Sequence, residues 1–220
     1  MSLELKKRII TSIMLLLLLS AMYFYSFIMI IFLIIIAMIS WVEFYALISK
    51  ILIKNSIKDK LYRFLCKATS LLYLSLLVYF VFSIESHYLD LKIFLLYSVL
   101  VSILSDIGGL VFGKTFKGKK LTKISPNKTI SGSIGSFVFS LLLIPLFYIE
   151  LIKYNFLILV LITVLISLTS QLGDLFISSL KRKANVKDTS NILPGHGGFL
   201  DRIDGIIFAI PIGVILFTFF

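Results

Sequence analysis

Between Ile9 and Ile48 the chain carries a single charged side chain, Glu43. One helix crosses the hydrocarbon core with about 20 apolar residues, and this run is about twice that length. It has to supply two spans, joined near Tyr25 and Ser26, although no Gly or Pro marks the turn there. Lipid offers backbone groups no hydrogen bonds, so such spans are expected as helices. Further apolar segments run over 61–83, 91–113, 131–149, 154–180 and 205–220. The expected architecture is all-α and polytopic, an integral membrane protein of about seven transmembrane helices.

Composition agrees: 59% of the residues are hydrophobic and the mean hydropathy is +1.06, beyond the apolar share of a soluble domain. Leu5-Lys6-Lys7-Arg8 before the first apolar run resembles the start of a signal peptide. The run then continues to Ile48 without a small-x-small cleavage site, so a retained anchor is expected. The lone Cys66 excludes an intramolecular disulfide and any cysteine-based metal cluster.

A net charge of +11 could point to nucleic acid, but the positions of the basic residues point to a membrane surface. Lys6, Lys7 and Arg8 precede the first span; Lys50, Lys54, Lys58, Lys60, Arg63 and Lys67 follow the second. Lys114, Lys117, Lys119, Lys120, Lys123 and Lys128 follow the fourth, and Lys181, Arg182, Lys183, Lys187 and Arg202 lie before the last. Of the 22 Lys and Arg, this leaves only Lys92 and Lys153. With seven spans and a cytoplasmic amino terminus, every basic connection falls on the cytoplasmic face, as positive-inside bias demands. The opposite connections are short and carry Glu85, Asp90 and Glu150.

Glu43, Asp106, Asp174, Asp201 and Asp204 lie within or at the ends of apolar spans. Each needs a cation, a water-filled cavity or a proton. Span direction puts all five toward the cytoplasmic end, beside the basic connections. Carboxylates that hold a hard cation, ringed by Lys and Arg that neutralise phosphate, would serve a metal-bound polyphosphate. Simple pairing with Lys or Arg is the alternative, and for Glu43 the two readings weigh equally. Asp174 precedes Lys181 and Arg182 by about two helical turns, on one line into the cytoplasm. Asp201 and Asp204 share a face if one helix begins there, or they are acids favoured by a helix N-terminus. The small residues of Pro194-Gly195-His196-Gly197-Gly198 could bring backbone amides close to phosphate, or form an ordinary glycine-rich turn.

Ser178-Ser179-Leu180-Lys181-Arg182, Lys187-Asp188 and Leu193-Pro194-Gly195-His196-Gly197-Gly198-Phe199-Leu200-Asp201-Arg202-Ile203-Asp204 together resemble the signature of phosphatidate cytidylyltransferases. Asp106-Ile107-Gly108-Gly109 with Phe112-Gly113-Lys114 resembles that family's Asp-x-x-x-(aromatic)-x-x-Gly-Lys helix end, with Leu110 at the aromatic position. Ser125-Pro126-Asn127-Lys128-Thr129 and Gly132 resemble its Ser-Pro-Lys-Lys-Thr-x-Glu-Gly segment, with Asn127 for a lysine and Ser131 at another departure. The resemblance covers about 102–205, with a fainter match over 5–12, in a chain shorter than most relatives. It implies one membrane domain over 1–220, with anchoring helices over 1–90 and a catalytic half over 91–220 whose cytoplasmic loops are 114–130 and 181–204.

The implied activity joins CTP to phosphatidic acid, giving CDP-diacylglycerol and pyrophosphate in phospholipid biosynthesis at the bacterial inner membrane. The implied cofactor is Mg²⁺, with a second cation left open, held by Asp174 and Asp201, then Asp204, then Asp106. Lys181, Arg182, Lys187 and Lys128 are the implied phosphate clamps, with Thr129, Gly197 and Gly198 at the substrate; Arg202 either joins them or pairs with Asp201. His196 is read as a phosphate donor ahead of metal ligand or turn stabiliser, because a phosphatidate oxygen is already anionic near neutral pH. Ser125 and Ser178 either donate to phosphate or satisfy helix backbone. The expected partners are CTP, phosphatidic acid and bilayer lipid, no nucleic acid, and a second copy of the chain as a homodimer.

Other classes fit less well. A CTP-dependent lipid-alcohol kinase would release CDP instead of pyrophosphate. A CDP-alcohol phosphotransferase should carry Asp-Gly-x-x-Ala-Arg, which is absent. An ion-coupled transporter would place acids near the midplane rather than at one face.

Overall fold

The computed structural model describes residues 3–52, 56–122, 125, 128–193 and 197–220. The helices are α1 Leu3–Phe24, α2 Ser26–Ile51, α3 Ile57–His87, α4 Lys92–Phe116, α5 Ile130–Leu141, α6 Leu143–Leu146, α7 Phe156–Lys183, α8 Leu200–Ile203 and α9 Ile206–Phe219. A single 3₁₀ turn, Leu89–Leu91, precedes α4. Among the described residues there is no strand, only isolated bridges at Lys120 with Thr129 and Leu193 with Gly197.

Five helical segments are long and apolar enough to cross a membrane: Ser26–Ile51, Ile57–His87, Leu89–Phe116, Phe156–Lys183 and Leu200–Phe219. Ile13–Phe24 and Ile130–Leu146 are shorter apolar helices. The protein is an all-α polytopic membrane protein, and each apolar run of the sequence has its helix. The break in the first long run falls at Tyr25, one residue in extended conformation between α1 and α2. Between α5 and α6 the cause of the interruption is local. Pro145 has no N–H to give the Leu141 carbonyl, and Leu142 instead donates to the Phe139 carbonyl three residues back. α2 and α3 leave Phe27, Met38, Leu72 and Tyr79 largely exposed, an apolar surface that lipid has to cover.

The chain divides into two compact units whose boundaries do not follow chain order. The first contains 1–87 and 180–203, so the signature residues Lys181 and Asp201 fold with the amino-terminal helices, while Ser178 and Asp204 belong to the second unit. Here α2 and α3 are tied by Trp41 Nε1 donating to the Lys67 carbonyl at 3.1 Å, and by Lys67 Nζ over the Tyr45 ring. Farther along the same pair, the Ser26 hydroxyl donates to Glu85.

The second unit contains 88–179 and 204–220. α4 and α5 approach at Gly108 and Gly135, where a Cβ on either glycine would run into the backbone of the other helix. Small residues at such a crossing let helix backbones come together where lipid removes any hydrophobic drive. α4 and α7 share a buried polar seam: Ser102 with Ser170 at 2.6 Å, Ser105 with Ser167 at 3.0 Å and Tyr97 with Thr163 at 2.7 Å. Leu159, Ile162, Ile166 and Ala209 are fully buried around it.

Candidate functional site

In the second unit the centre is Asp174, two-thirds of the way along α7. Its Oδ2 accepts from the Lys128 ammonium, and its Oδ1 accepts from Ser178 Oγ one turn later at 3.2 Å. Ser178 thus bonds a side-chain carboxylate, a partner that neither sequence reading had named. Lys128 and Asp174 keep 27% and 24% of their side chains exposed, so solvent reaches the pair. The Lys128 segment is held by the start of α5. The Thr129 hydroxyl accepts from Gly132 N at 3.0 Å as the N-cap, and Ser133 Oγ donates to Gln171 Oε1 on α7 at 2.6 Å. Thr129 is therefore occupied as a cap, while the Ser125 carbonyl accepts from Lys128 N at 3.0 Å.

The first unit holds a different centre. Asp201 Oδ1 accepts from Lys181 Nζ at 2.7 Å; Oδ2 accepts from Thr189 N at 2.8 Å, Thr189 Oγ1 at 2.9 Å and Gly198 N at 3.0 Å. Only 4% of the Asp201 side chain is exposed. The Gly198 amide, expected to face phosphate, faces this carboxylate, and Lys181, expected as a phosphate clamp, is its ion-pair partner. Gly197 has φ +82, a conformation that favours glycine. A Cβ on Gly198 would overlap Thr189 Oγ1 and both Glu43 oxygens. The motif glycines are thus explained by the acids packed against them.

Arg182, Lys187 and Arg202 are exposed, and Arg182 donates to the Val186 carbonyl at 3.3 Å. The single helix that would put Asp201 and Asp204 on one face is interrupted: α8 ends at Ile203, and α9 begins at Ile206 after a turn at Asp204 and Gly205. Asp204, buried in the second unit, accepts from Gly205 N at 3.0 Å. Asp106 lies exposed on α4. His196, with Pro194 and Gly195, lies outside the described residues, as do Pro126 and Asn127.

Two residues carry more of this geometry than the sequence indicated. Thr189 serves Asp201 through both its amide and its hydroxyl; its one signal in the sequence is that it directly follows the signature pair Lys187-Asp188. Glu43 was visible as the lone charge of a long apolar run, but its partners lie about 150 residues further on and are hydroxyls and amides, not Lys or Arg.

The donor chemistry fits a hard divalent cation unequally at the two motif acids. Mg²⁺ is commonly held by one or two carboxylates completed by substrate phosphates and water. Asp174, solvent-reached and bonded among the described residues to movable side chains, fits that role. An ionised carboxylate offers about four lone-pair sites. Asp201 has its Oδ2 taken by three donors, so it has room for a cation on Oδ1 only beside or in exchange for Lys181. Among the described residues no three His, Cys, Asp or Glu side chains are grouped as a metal shell.

Comparison with known proteins places this arrangement. Over 122 residues the chain is 44% identical to the phosphatidate cytidylyltransferase of Staphylococcus haemolyticus (strain JCSC1435), covering 54% of this chain and 46% of that protein. The enzyme of the same name from Staphylococcus aureus (strain COL) matches with the same identity and coverage. That of Rickettsia bellii (strain RML369-C) is 50% identical over 115 residues, 49% of this chain and 50% of that protein. The chain spans about half the length of the curated relatives it matches. The model of the cytidylyltransferase family extends over residues 5–220, taking in the amino-terminal helices as well as both acid centres, and on that match the chain belongs to the cytidylyltransferase family.

Proposed function

We propose that this protein is a phosphatidate cytidylyltransferase that transfers CMP from CTP to phosphatidic acid, forming CDP-diacylglycerol and pyrophosphate. The observation that carries this reading is that each of two motif carboxylates has a motif lysine on it, Lys128 on Asp174 and Lys181 on Asp201. Both reactants are anions, and their repulsion has to be cancelled before in-line attack. Ammonium groups already balanced by carboxylates can turn to incoming phosphates while those carboxylates take a cation. The phosphatidate oxygen attacks the α-phosphorus of CTP, the bond between that phosphorus and the oxygen bridging to the β-phosphorus breaks, and pyrophosphate leaves with the electron pair.

Lys128 and Lys181, with the exposed Arg182 and Lys187, bind phosphate oxygens in this reading, and His196 donates a hydrogen bond there. Asp174 and Asp201 would hold Mg²⁺ as the strongest ligands, Asp204 next and Asp106 more weakly. Bound there, the ion would neutralise phosphate oxygens and polarise the reacting phosphorus. The active face is proposed to be cytoplasmic at the bacterial inner membrane, supported by the basic residues falling in alternate connections between the apolar runs. Lipid would enter laterally between helices while CTP arrives from water, and two chains would pair as a homodimer.

The test is product identification. Purified protein with labelled CTP, phosphatidic acid and Mg²⁺ should yield CDP-diacylglycerol and pyrophosphate in equal amounts, with loss of turnover on chelation. Release of CDP with a newly phosphorylated lipid would make it a lipid kinase, and absence of either product would overturn the reading.

A further inference from the structure

Glu43 sits on α2, a helix whose other side chains from Ser26 to Ser49 carry no charge. Its carboxylate is 3% exposed as a residue, yet none of its described hydrogen-bond donors is a lysine or arginine. It accepts from Thr189 Oγ1 at 2.9 Å, Ser190 Oγ at 2.6 Å, Phe199 N at 3.1 Å and Leu200 N at 2.8 Å. All four donors belong to the two flanks of the signature's glycine segment. The two amides stand at the start of α8, where N–H groups have no partner within the helix.

The same donors lead directly to Asp201. Thr189 Oγ1 is 2.9 Å from both Glu43 Oε2 and Asp201 Oδ2, and its one proton can serve only one of them at a time. Gly198 donates its amide to Asp201 while its missing side chain leaves the space that the Glu43 oxygens occupy. Glu43 therefore fills a cradle shaped around it, gripping the 189–190 and 198–200 flanks. A carboxylate accommodated only to soften its own burial would need one cation; this one gathers a loop.

We infer that Glu43 is a positioning residue for the cytidylyl transfer: it ties Thr189 and Ser190 to Phe199 and Leu200 so that Asp201 and Lys181 keep their places. The kinetic part rests on the function proposed above, whereas the structural part stands without it. Glu43 touches none of the reacting atoms in this role. Its effect should fall on kcat, through Asp201, more than on the KM for CTP.

The experiment compares wild type, Glu43→Gln and Glu43→Asp as full-length protein in detergent, by steady-state kinetics and by hydrogen–deuterium exchange. Glu43→Gln replaces an acceptor oxygen by an NH₂ donor facing other donors. It should lower kcat at least tenfold with KM for CTP changed less than threefold, and speed exchange in peptides containing Phe199 and Leu200. Peptides from α5 should exchange as in wild type. Glu43→Asp, which keeps the carboxylate, should recover part of both the rate and the protection. Unchanged protection near Leu200, changed protection with wild-type kcat, or loss of protection in α5 as well would overturn the inference, the last by making Glu43 a general stability residue. If wild type forms no CDP-diacylglycerol, the reading of the reaction fails, and the exchange contrast still decides whether Glu43 holds the segment.

Discussion

The carboxylates of the two units are kept in opposite ways. Asp174 in the second unit is a quarter exposed, and both of its partners, Lys128 and Ser178, are side chains that can swing away. Asp201 in the first unit is almost sealed and is bonded to two backbone amides besides Lys181 and the Thr189 hydroxyl, with Glu43 gripping the same segment. Side-chain partners cost little to exchange, because water reaches the pair and replaces what is lost. Backbone partners in a buried site cannot leave without leaving donors unsatisfied. The contrast separates a carboxylate whose partners can be exchanged from one that also serves as scaffold.

The largest expected effect tests the first half of that contrast. Asp174→Asn should lower kcat on the order of 10²–10³-fold, the scale of losing a preorganised charge interaction in a reacting site, while its melting temperature stays near wild type. A full-rate Asp174→Asn enzyme would remove Asp174 from the chemistry. Asp201→Asn should also lose turnover, but it leaves Lys181 buried without its counter-charge. A loss of about 3 kcal/mol in stability is expected, within the range for breaking a buried pair. Equal stability of the two Asn variants in a thermal melt would erase the distinction.

Gly198→Ala probes the scaffold without touching a charge. Its Cβ must displace Thr189 Oγ1 or the Glu43 carboxylate, and a penalty of about 1–3 kcal/mol is expected for such overpacking. A wild-type melt for this variant would mean that the cradle yields easily. The smallest change should come from Lys128→Ala, about 1 kcal/mol or less in the same melt, since solvent screens the pair it breaks. Destabilisation as large as that of Asp201→Asn would show that the Asp174 centre is scaffold too.

Much of this could be read before any coordinates. Each apolar run became helical, with 131–149 interrupted between α5 and α6, and the turn expected near Tyr25 and Ser26 sits at Tyr25. Hydropathy works for such spans because the lipid imposes one backbone solution on any sufficiently apolar segment. The motif acids were legible as well, since a carboxylate beside lipid has to be accounted for. Their partners were less so. Lys181 was placed by its spacing two turns after Asp174, yet it bonds Asp201. Gly197 and Gly198 were read as room for a ligand, whereas the space beside Gly198 is taken by Glu43 and Thr189. Spacing along a helix reports which residues share a line, and it says nothing of what folds back against them.

The sequence by itself determined that this chain is a bundle of membrane helices with its basic residues in alternate connections, and it carried the spaced signature of its family. Those properties are local: the free energy of placing an apolar segment in lipid depends on that segment's own residues. Only the tertiary structure decided that Lys181 and Asp201 fold with the amino-terminal helices, and that Glu43 closes on donors at Thr189, Ser190, Phe199 and Leu200. A buried carboxylate accepts whichever donors the packing brings within reach, and no local pattern around Glu43 encodes a hydroxyl or an amide about 150 residues away.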